Sequence, residues 1–321
     1  MSFKKIEQFV IQHNLISSNQ TIILGLSGGP DSVYLFYFLL YLKKHIPFSF
    51  VAAHLDHEWR KSSIKDLLFC EQLCKSHQIP FISEKISNIS LDIKKTGSKE
   101  DLARQYRRFF FEELQKRLAA DAIALAHTQD DQLETFFIRL IRGSTISGLS
   151  CMRIKDNQYI RPLLNTHKKD ILNYLKRHAY GFVTDPTNQS TLFLRNRIRL
   201  KLIPTLKQVD SRAEQNILKT ILAMQEADGF IEDMSKTILD MANNELNQLD
   251  LKQFYALPEF LQKRVLLEWL YKAHVPFTIS SGLIKEIIRF LYNTKSTTHT
   301  VDTWSITKKK HLASILLHKA P

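Results

Sequence analysis

One segment near the N-terminus, Thr21–Ser32, constrains the fold of this chain more than any other. Its first six residues have strand-like, aliphatic and β-branched character, and they lead into the loop Ser-Gly-Gly-Pro-Asp-Ser and then a helix-forming stretch. The two glycines allow a sharp turn that brings backbone N–H groups against a ligand, and the helix start adds unpaired N–H groups and a positive dipole end. The segment therefore predicts an anion-binding loop, with a polyphosphate as its natural ligand.

The loop differs from the lysine-bearing phosphate loop of common ATPases and GTPases, because it lacks the pattern GxxxxGK followed by Ser or Thr. Asp31 stands where that loop has its lysine. A carboxylate beside phosphates predicts that Mg²⁺ is bound between them. On these residues alone, an ordinary glycine-rich turn between a strand and a helix remains the alternative.

The hexapeptide SGGPDS resembles the pyrophosphatase loop, or PP-loop, of enzymes that use ATP, release pyrophosphate and transfer AMP. Enzymes with this loop include GMP and NAD synthetases, argininosuccinate synthetase, tRNA thiolases and tRNA(Ile)-lysidine synthetase. The resemblance implies that the following residues bind ATP: Ser27, Gly28, Gly29, Pro30, Asp31 and Ser32.

The charge of the chain indicates an anionic partner. Its 321 residues include 45 Lys and Arg against 32 Asp and Glu, which gives a net charge of +13. From Arg139 to Lys207 the basic residues greatly outnumber the acidic ones. Nucleic acid is the leading candidate, because clustered Lys and Arg neutralise phosphates; simple solubility is the alternative.

The cysteines do not predict a redox or metal site. Cys70 and Cys74 lie four residues apart in a helical pattern, a spacing that fits neither a CxxC motif nor a zinc site. We expect these two thiols and Cys151 to be buried and structural, with Cys70 and Cys74 remote from the strand ends. Because no stretch resembles a signal peptide or reaches the length of a membrane span, we expect a cytoplasmic protein.

Apolar runs alternate with helical patterns through roughly the first two hundred residues. The predicted strands are Thr21–Leu26, Phe48–His54, Phe81–Ile86 and Ala122–Ala126, and the predicted helices are Ser32–Lys44, Ser63–His77, Ser98–Leu118 and Asp130–Arg142. This alternation predicts an α/β fold in which helices cover both faces of a parallel sheet, and ligands bind at the carboxyl ends of the strands.

Beyond Asp210 the pattern becomes helical, and we predict a catalytic domain over residues 1–209 and a smaller, mainly helical domain over 210–321. The helices predicted in the second domain are Ser211–Asn244, Leu257–Ala273 and Ser281–Tyr292. The remaining segment, Thr297–Leu317, is a polar and weakly patterned end.

Three groups of polar residues follow predicted strands or open predicted helices. His54, Asp56 and His57 end the second strand and precede Arg60, which predicts a polar rim for a nucleotide pocket, with a metal site as the alternative. Asp131 and Glu134 share one face of a helix, an arrangement that suits a metal or an ammonium group but also stabilises a helix without any function. Arg195 and Arg199 lie four residues apart and project together.

Eight motifs in order resemble those of tRNA(Ile)-lysidine synthetase, over about residues 20 to 207. They read SGGPDS, HLDHEWR, KEDLARQYRR, AHTQDDQLET, RGSTISGL, RPLL, DPTN and RNRIR. The chain departs from the family at a few positions. Thr128 stands where many members have a second His, Thr145 occupies a usual glycine, Glu58 and Trp59 replace a Gly-Leu-like pair, and Arg108 sits where an aromatic is common.

The resemblance implies a reaction in which ATP activates the wobble cytidine of a CAU-anticodon tRNA and free lysine displaces AMP. The residues that it implies are, for catalysis, Asp31, Asp131, Arg195 and Arg199; for ATP, besides the loop, His54, Arg60, Arg104 and His127; for lysine, Asp131 and Glu134; for Mg²⁺, Asp31; and for tRNA, Arg142, Arg161, Arg195, Arg197 and Arg199. Asp131 is the expected general base, and the C-terminal domain is expected to bind tRNA. The sequence leaves open whether the protein forms a homodimer.

Two alternatives remain at this point. A tRNA thiolase with the same loop would need reactive cysteines in the pocket. A non-catalytic tRNA-binding module would have no need of Asp31, Asp131 or Glu134.

Overall fold

A computed structural model describes residues 3–59, 63–91, 99–184, 190–241, 247–276, 280–301 and 303–318. The chain forms two compact units, Met1–Leu222 and Ala223–Pro321. The boundary predicted from sequence, between residues 209 and 210, precedes this division, which falls inside a long helix. Among the described residues, no helix combines the length and the apolar content that crossing a bilayer requires.

The first unit is an α/β structure. Its strands are β1 Thr21–Gly25, β2 Ser49–Asp56, β3 Phe81–Lys85, β4 Ala122–Ala124, β5 Lys155–Asp156 and β6 Tyr159–Ile160. Its helices are α1 Phe3–Gln12, α2 Pro30–Leu42, α3 Ser63–Ser76, α4 Lys99–Leu118, α5 Gln129–Ile141, α6 Ile146–Leu149, α7 Lys168–Arg177, α8 Leu194–Arg197 and α9 Ile203–Val209, with a π-helical segment, Ile198–Leu202, between the last two. The long helix α10, Ala213–Met241, follows.

The six strands form one sheet in the order β3-β2-β1-β4-β6-β5, parallel except that β5 pairs antiparallel with β6. Successive residues of β1 point to opposite faces, as the pleat requires. Ile22 and Leu24 pack in a buried cluster with residues of α2 and α7, while Ile23 packs in another cluster with Phe110 and Leu114 of α4. Helices thus cover both faces of the sheet, and the predicted fold class is confirmed.

The strand order determines where a ligand can bind. From β1 the chain proceeds to β2 and β3 on one side, and then returns to place β4 on the other side of β1. In open parallel sheets a crevice forms beyond the carboxyl ends of the strands where the order reverses in this way. The loop after β1 and the loop after β4 therefore face each other across this crevice.

The second unit combines helices with a small sheet. Its elements are β7 Gln248–Asp250, α11 Leu251–Ala256, α12 Glu259–Lys272, α13 Ser281–Tyr292, β8 Thr298–Val301, β9 Trp304–Lys309 and β10 Leu312–Leu317. The strands pair antiparallel in the order β7-β10-β9-β8. The helices confirm the mainly helical prediction, but all four strands, β7 and the three after residue 297, were missed.

The missed strands have a physical explanation. Trp304 and Ile306 alternate with polar residues on β9, whereas the neighbours of Ala313 and Ile315 on β10 include the apolar Leu312 and Leu316. Each strand contributes two side chains to the core. Two buried side chains per strand are a weak signal of a strand in the sequence. Each strand becomes stable only when the two strands pair and cover the core of the second unit.

Candidate active site

The loop after β1 has the conformation that its glycines and proline favour. Gly28 adopts a φ of +81°, which favours glycine, and Gly29 is the N-cap of α2. Pro30 occupies the first turn of the helix, where the missing N–H group costs nothing. The hydroxyls of Ser27 and Ser32 lie 3.1 Å apart, and Ser32 also donates to the carbonyl of Gly29 at 3.0 Å. The predicted sharp turn between a strand and a helix start is present.

The cysteine nearest this loop does not lie where the sequence analysis placed it. A Cβ atom at Gly28 would meet the Cys70 Sγ at 3.2 Å, so the thiol packs directly behind the loop rather than remote from the strand ends. Cys70 is fully buried, and burial raises the pKa of its thiol. Burial also raises the pKa of Cys74 to about 12 and that of Cys151 to about 11. All three are free thiols that stay protonated near neutral pH.

Two glycines allow the packing behind the loop to be tested. We expect Gly28→Ala to lower the free energy of unfolding by about 2 kcal/mol, since the new methyl group meets both an unfavourable φ and the Cys70 thiol. Gly143→Ala is the matched control, because Gly143 has a φ of +70° but no atom within 4 Å of a Cβ. Urea denaturation of both variants measures the difference, and equal losses would show that the contact with Cys70 is unimportant.

Asp31 lies in the first turn of α2 and is held by a lysine that the sequence analysis did not single out. Lys168 Nζ donates to Asp31 Oδ2 at 3.0 Å, whereas the buried Oδ1 has no hydrogen-bond partner among the described residues. Burial raises the pKa of Asp31, Lys168 opposes this rise, and the charges of Asp131 and Asp130 add to it. Asp31 is therefore a carboxylate that needs a nearby cation.

The loop after β4 presents a second carboxylate. Thr128 is the N-cap of α5, and its backbone N–H and its hydroxyl both donate to Asp131 Oδ2 at 2.8 Å. The Asp131 backbone N–H donates back to the Thr128 hydroxyl, which completes a capping box. Burial raises the pKa of Asp131, but the charge of Arg195 and these hydrogen bonds outweigh it and lower the pKa. Asp131 is thus fixed in position and ionised.

Glu134 lies at the centre of an arginine clamp, one turn further along α5. Arg195 Nε donates to its Oε2 at 2.6 Å, and Arg199 donates through Nε and Nη2 to both carboxylate oxygens. Arg195 also donates through Nη2 to Asp131 Oδ1 at 2.9 Å. The Glu134 side chain is only 2% exposed, so its charge is compensated inside the protein.

The backbone around the two arginines is unusual. Arg195 lies on α8, whereas Arg199 lies in the π-helical segment that follows it. Such segments are rare and are frequently found at functional sites. The sequence analysis correctly placed the two side chains together, but their engagement by Glu134 appears only in the structure.

The histidines predicted to bind ATP are largely buried. His54 is 6% exposed, and its Nδ1 lies 2.9 Å from the carbonyl of Leu26, at the end of β1. The buried Nδ1 of His127 has no partner among the described residues. Burial lowers the pKa of His127 against the opposing charge of Asp131, and three nearby arginines add to the effect of burial. His127 is therefore a neutral imidazole that faces the cluster formed by Asp131 and Arg195.

The low pKa of His57 predicts that the protein loses stability in acid. Burial, Arg107 and His54 lower the pKa of His57 to about 4, against the opposing effect of Asp56. Between a pH of about 6.5 and about 4 the unfolded chain therefore binds a proton that the folded chain does not. We expect the free energy of unfolding to fall as the pH falls through this window, by about 1 kcal/mol per pH unit from this residue.

Denaturation curves at several pH values measure this effect. His57→Gln should make the dependence of stability on pH shallower, while the same change at the exposed His13 should leave it unchanged. An unaltered slope for His57→Gln would contradict the assignment.

The arginines predicted to bind tRNA differ in accessibility. Arg142 and Arg197 are exposed, at the end of α5 and on α8, and Arg197 also donates to the carbonyls of Thr191 and Leu192. Arg161 is only 6% exposed and donates to the carbonyl of Arg153 at 2.6 Å, so its location does not favour contact with a phosphate backbone. Among the remaining predicted residues, Arg104 is exposed on α4, whereas Arg60 and the DPTN motif lie outside the described residues.

Three of the departures from the family motifs, Thr128, Thr145 and Arg108, have local explanations. Thr128 serves as the helix cap described above, and Thr145 has a φ of −76°, which requires no glycine. Glu58 adopts a φ of +54°, a conformation that favours glycine, and its backbone N–H donates to Asp56 at 2.8 Å. Arg108 pairs with Glu112 at 2.7 Å. The alternative of a metal site near His54 is not supported, since the described part of the chain has no group of three ligand side chains.

A glycine-rich loop at a helix start, opposite a cluster of carboxylates and arginines at the end of the neighbouring strand, is typical of a nucleotide-binding α/β protein. The model of the PP-loop domain family matches residues 2–206, and the chain belongs to this family.

More specific similarity comes from individual proteins. The chain is 34% identical over 307 residues to a tRNA(Ile)-lysidine synthase of Bacillus thuringiensis, and 33% identical over 303 residues to that of Bacillus subtilis. These matches include 91% and 90% of this chain but 64% of each relative, so the chain spans less than two thirds of their length. A solved structure of a U34-tRNA thiolase from Methanococcus maripaludis has the same fold, with a TM-score of 0.60 and 18% identity over 70% of this chain and 78% of that one.

Proposed function

We propose that the chain is a tRNA(Ile)-lysidine synthetase. It would use ATP to ligate lysine to C2 of the wobble cytidine of a CAU-anticodon tRNA(Ile), which changes codon reading from AUG to AUA. The observation that carries the proposal is the placement of Asp31, after β1, opposite the cluster of Asp131, Glu134, Arg195 and Arg199 after β4. The two groups are close enough for the charge of Asp131 to raise the pKa of Asp31.

The first step is adenylation. A pyrimidine oxygen is a poor leaving group, and transfer of AMP converts it into a phosphate ester that can leave. Ser27, Gly28, Gly29 and Ser32 would bind the departing pyrophosphate through the loop and the start of α2.

Asp31 is the residue that would hold Mg²⁺, and its free Oδ1 fits that role because this buried oxygen lacks a partner in the described structure. The metal would supply positive charge to the leaving pyrophosphate.

The second step is attack by lysine. Asp131 and Glu134 would select the substrate through its ammonium group, and the amine that attacks must lose a proton. Asp131 is our choice of general base. Its pKa is lowered partly by Arg195, so displacement of that guanidinium would make Asp131 a stronger base. Arg195 and Arg199 would then be available to the negative charge of the adenylate.

A transfer assay tests the proposal. Purified protein is incubated with ATP, Mg²⁺, radiolabelled lysine and a CAU-anticodon tRNA(Ile) transcript, and the label in precipitated RNA is counted. We expect incorporation that requires ATP and is lost when the wobble C is changed to U. Release of AMP without label would support adenylation but reject lysine as the nucleophile. No observation favours a thiolase, which would need a reactive thiol, since the three cysteines are buried with raised pKa values.

The basic surface predicts salt-sensitive binding of tRNA. We expect affinity to fall steeply with salt, by about a factor of 1,000 between 50 and 200 mM if six or more phosphates are contacted. The double change Arg142→Gln, Arg197→Gln should reduce the slope by about two. Lys43→Gln is the control, because Lys43 directly follows the C-terminal end of α2, which is the end farther from the crevice. A flat salt dependence of the wild type would contradict the prediction. A contribution of the second unit to tRNA binding is part of the same proposal.

A further inference from the structure

We propose that Trp59 is a stacking platform, beside the crevice, for an unpaired base of the RNA anticodon loop. The inference rests on the proposed function, because it assumes that the chain binds the anticodon of a tRNA. It assigns a ligand to a residue that the family motifs do not explain, since this chain has Glu58 and Trp59 in place of a Gly-Leu-like pair.

Trp59 is an exposed aromatic side chain at the edge of the sheet where ligands bind. It follows the end of β2, and β2 runs parallel to β1, so both strands end at the edge that carries the loop after β1. Trp59 is 56% exposed, whereas Trp269 and Trp304 are fully buried. An indole ring in water gains free energy when a flat ligand covers it.

Glu58 fixes the backbone that carries Trp59. It adopts a φ of +54°, which is unfavourable for a residue with a side chain. Its backbone N–H donates to Asp56 Oδ1 at 2.8 Å, and its Oε2 accepts a hydrogen bond from the backbone N–H of Ser87 at 2.9 Å. Because Ser87 follows β3, the second bond joins the loops after two neighbouring strands. A loop held in this way loses less conformational entropy when Trp59 binds a ligand.

His57 supports one side of the indole ring. The ring centroids of His57 and Trp59 lie 5.1 Å apart, and the two planes are tilted by 31°. Arg107 Nη2 lies 3.1 Å from His57 Nε2. Since a guanidinium group can only donate, this nitrogen accepts and the imidazole is neutral. Trp59 therefore packs on a fixed, uncharged ring while more than half of the residue stays exposed.

The surroundings of Trp59 favour a base of RNA over the adenine of ATP. Arg107 is exposed on α4 and contacts the same histidine as Trp59. Exposed aromatic rings beside cationic side chains are the combination by which proteins bind unpaired bases of single-stranded RNA. The bases of an anticodon loop are unpaired and approach the crevice from solvent. The adenine is instead expected beside buried residues such as His54, which is 6% exposed.

A simpler role for Trp59 would be to cover His57 and stabilise the fold. The two roles predict different results. A side chain that only covers His57 affects the free energy of unfolding, and its replacement leaves the affinity for RNA unchanged. A stacking platform changes its fluorescence when RNA binds, and its replacement weakens binding.

Tryptophan fluorescence of the full chain tests the proposal directly. All three tryptophans lie in the part of the chain that the structure describes, and Trp59 is the exposed one, so acrylamide quenching reports on it. The probe is a CAU-anticodon stem-loop RNA. We expect it to quench the emission of Trp59 and to protect this residue from acrylamide. Neither a blunt duplex of the same stem, which lacks unpaired bases, nor ATP with Mg²⁺ should do so. Trp59→Phe identifies the signal by its loss.

The affinity of variants for the labelled stem-loop provides the second measurement. We expect Trp59→Leu, which restores the leucine-like residue of the family, to weaken binding by about 10-fold. Trp59→Phe keeps an aromatic ring and should retain most of the affinity. The matched control is Phe9→Leu, which removes a ring that also packs on a histidine, His13, at 4.6 Å but on α1. This control should bind as tightly as the wild type.

Unchanged affinity in Trp59→Leu, or unchanged emission of Trp59 with the stem-loop, would overturn the inference. Quenching by ATP with Mg²⁺ alone would overturn the assignment to RNA. If Trp59→Leu does not fold, the fluorescence of the wild type decides. The lysine-transfer assay keeps the two proposals apart. Transfer by the wild type without quenching rejects only the role of Trp59, and quenching by the stem-loop without any transfer rejects only the proposed function.

Discussion

Asp31→Ala is expected to abolish adenylation, with a loss of about 1,000-fold or more in the rate of pyrophosphate release from ATP in the presence of tRNA. The carboxylate lies in the first turn of α2, directly after the loop, carries a buried oxygen without a partner among the described residues, and is the proposed Mg²⁺ ligand. Asp31→Asn keeps the shape of the side chain but removes its charge, and it should lose nearly as much activity. Pyrophosphate release is measured with a coupled assay at saturating ATP.

The control for this prediction is an aspartate that contacts the other end of β1. Asp121 accepts a hydrogen bond from the backbone of Thr21, at the opposite end of β1 from Asp31. Asp121→Asn therefore makes the same chemical change far from the proposed site and should keep its activity. Wild-type pyrophosphate release by Asp31→Ala would refute the role assigned to Asp31.

Glu134→Ala is expected to have the second large effect, on both stability and lysine use. The carboxylate is buried and compensates two arginines, so its removal leaves two guanidinium groups without their main partner. Breaking such a buried pair typically costs about 3–5 kcal/mol. Urea denaturation measures this loss, and a thermal scan identifies a temperature at which the variant remains folded for kinetic work.

A double-mutant cycle tests whether the loss comes from the ion pair. Arg199→Ala alone should also destabilise the protein, but the double change Glu134→Ala, Arg199→Ala should cost less than the sum of the two single changes. Strict additivity would show that the two side chains do not interact energetically. The cycle therefore separates the pairing from the loss of packing at either position.

The role of Glu134 in binding lysine requires a separate measurement. The variant Glu134→Gln keeps the shape of the side chain and is assayed at a temperature at which it remains folded. We expect its KM for lysine to rise at least about tenfold while its KM for ATP changes little. An unchanged KM for lysine would refute the assignment and leave Glu134 as the anchor of the two arginines.

Most of the first unit could be predicted because its signals are local. The strand that precedes the loop was predicted as Thr21–Leu26 and found as Thr21–Gly25, and the helix predicted as Asp130–Arg142 was found as Gln129–Ile141. These elements are long or apolar enough for their periodicity to be read directly. The strands of the second unit were missed because Trp304 and Ile306 form too short an alternation to stand out from the polar residues around them.

The sequence by itself determined the chemistry of each local segment. Gly28, Gly29 and Pro30 specify a turn and a helix start through their own backbone preferences, and the apolar runs specify strands. These properties depend on neighbours along the chain. The turn between β1 and α2, the α/β class and the presence of carboxylates and arginines after the strands are therefore predictable from the order of the residues alone.

Only the tertiary structure decided which of these groups meet. Glu134 binds Arg195 across 61 positions of sequence, and Asp31 binds Lys168 across 137. Cys70 packs behind Gly28, although the helical pattern around Cys70 does not predict a contact with that loop. Hydrogen bonds and ion pairs act over a few ångströms of space, and distance along the chain does not fix distance in space. The pairing of charges therefore depends on how the sheet brings the ends of its strands together.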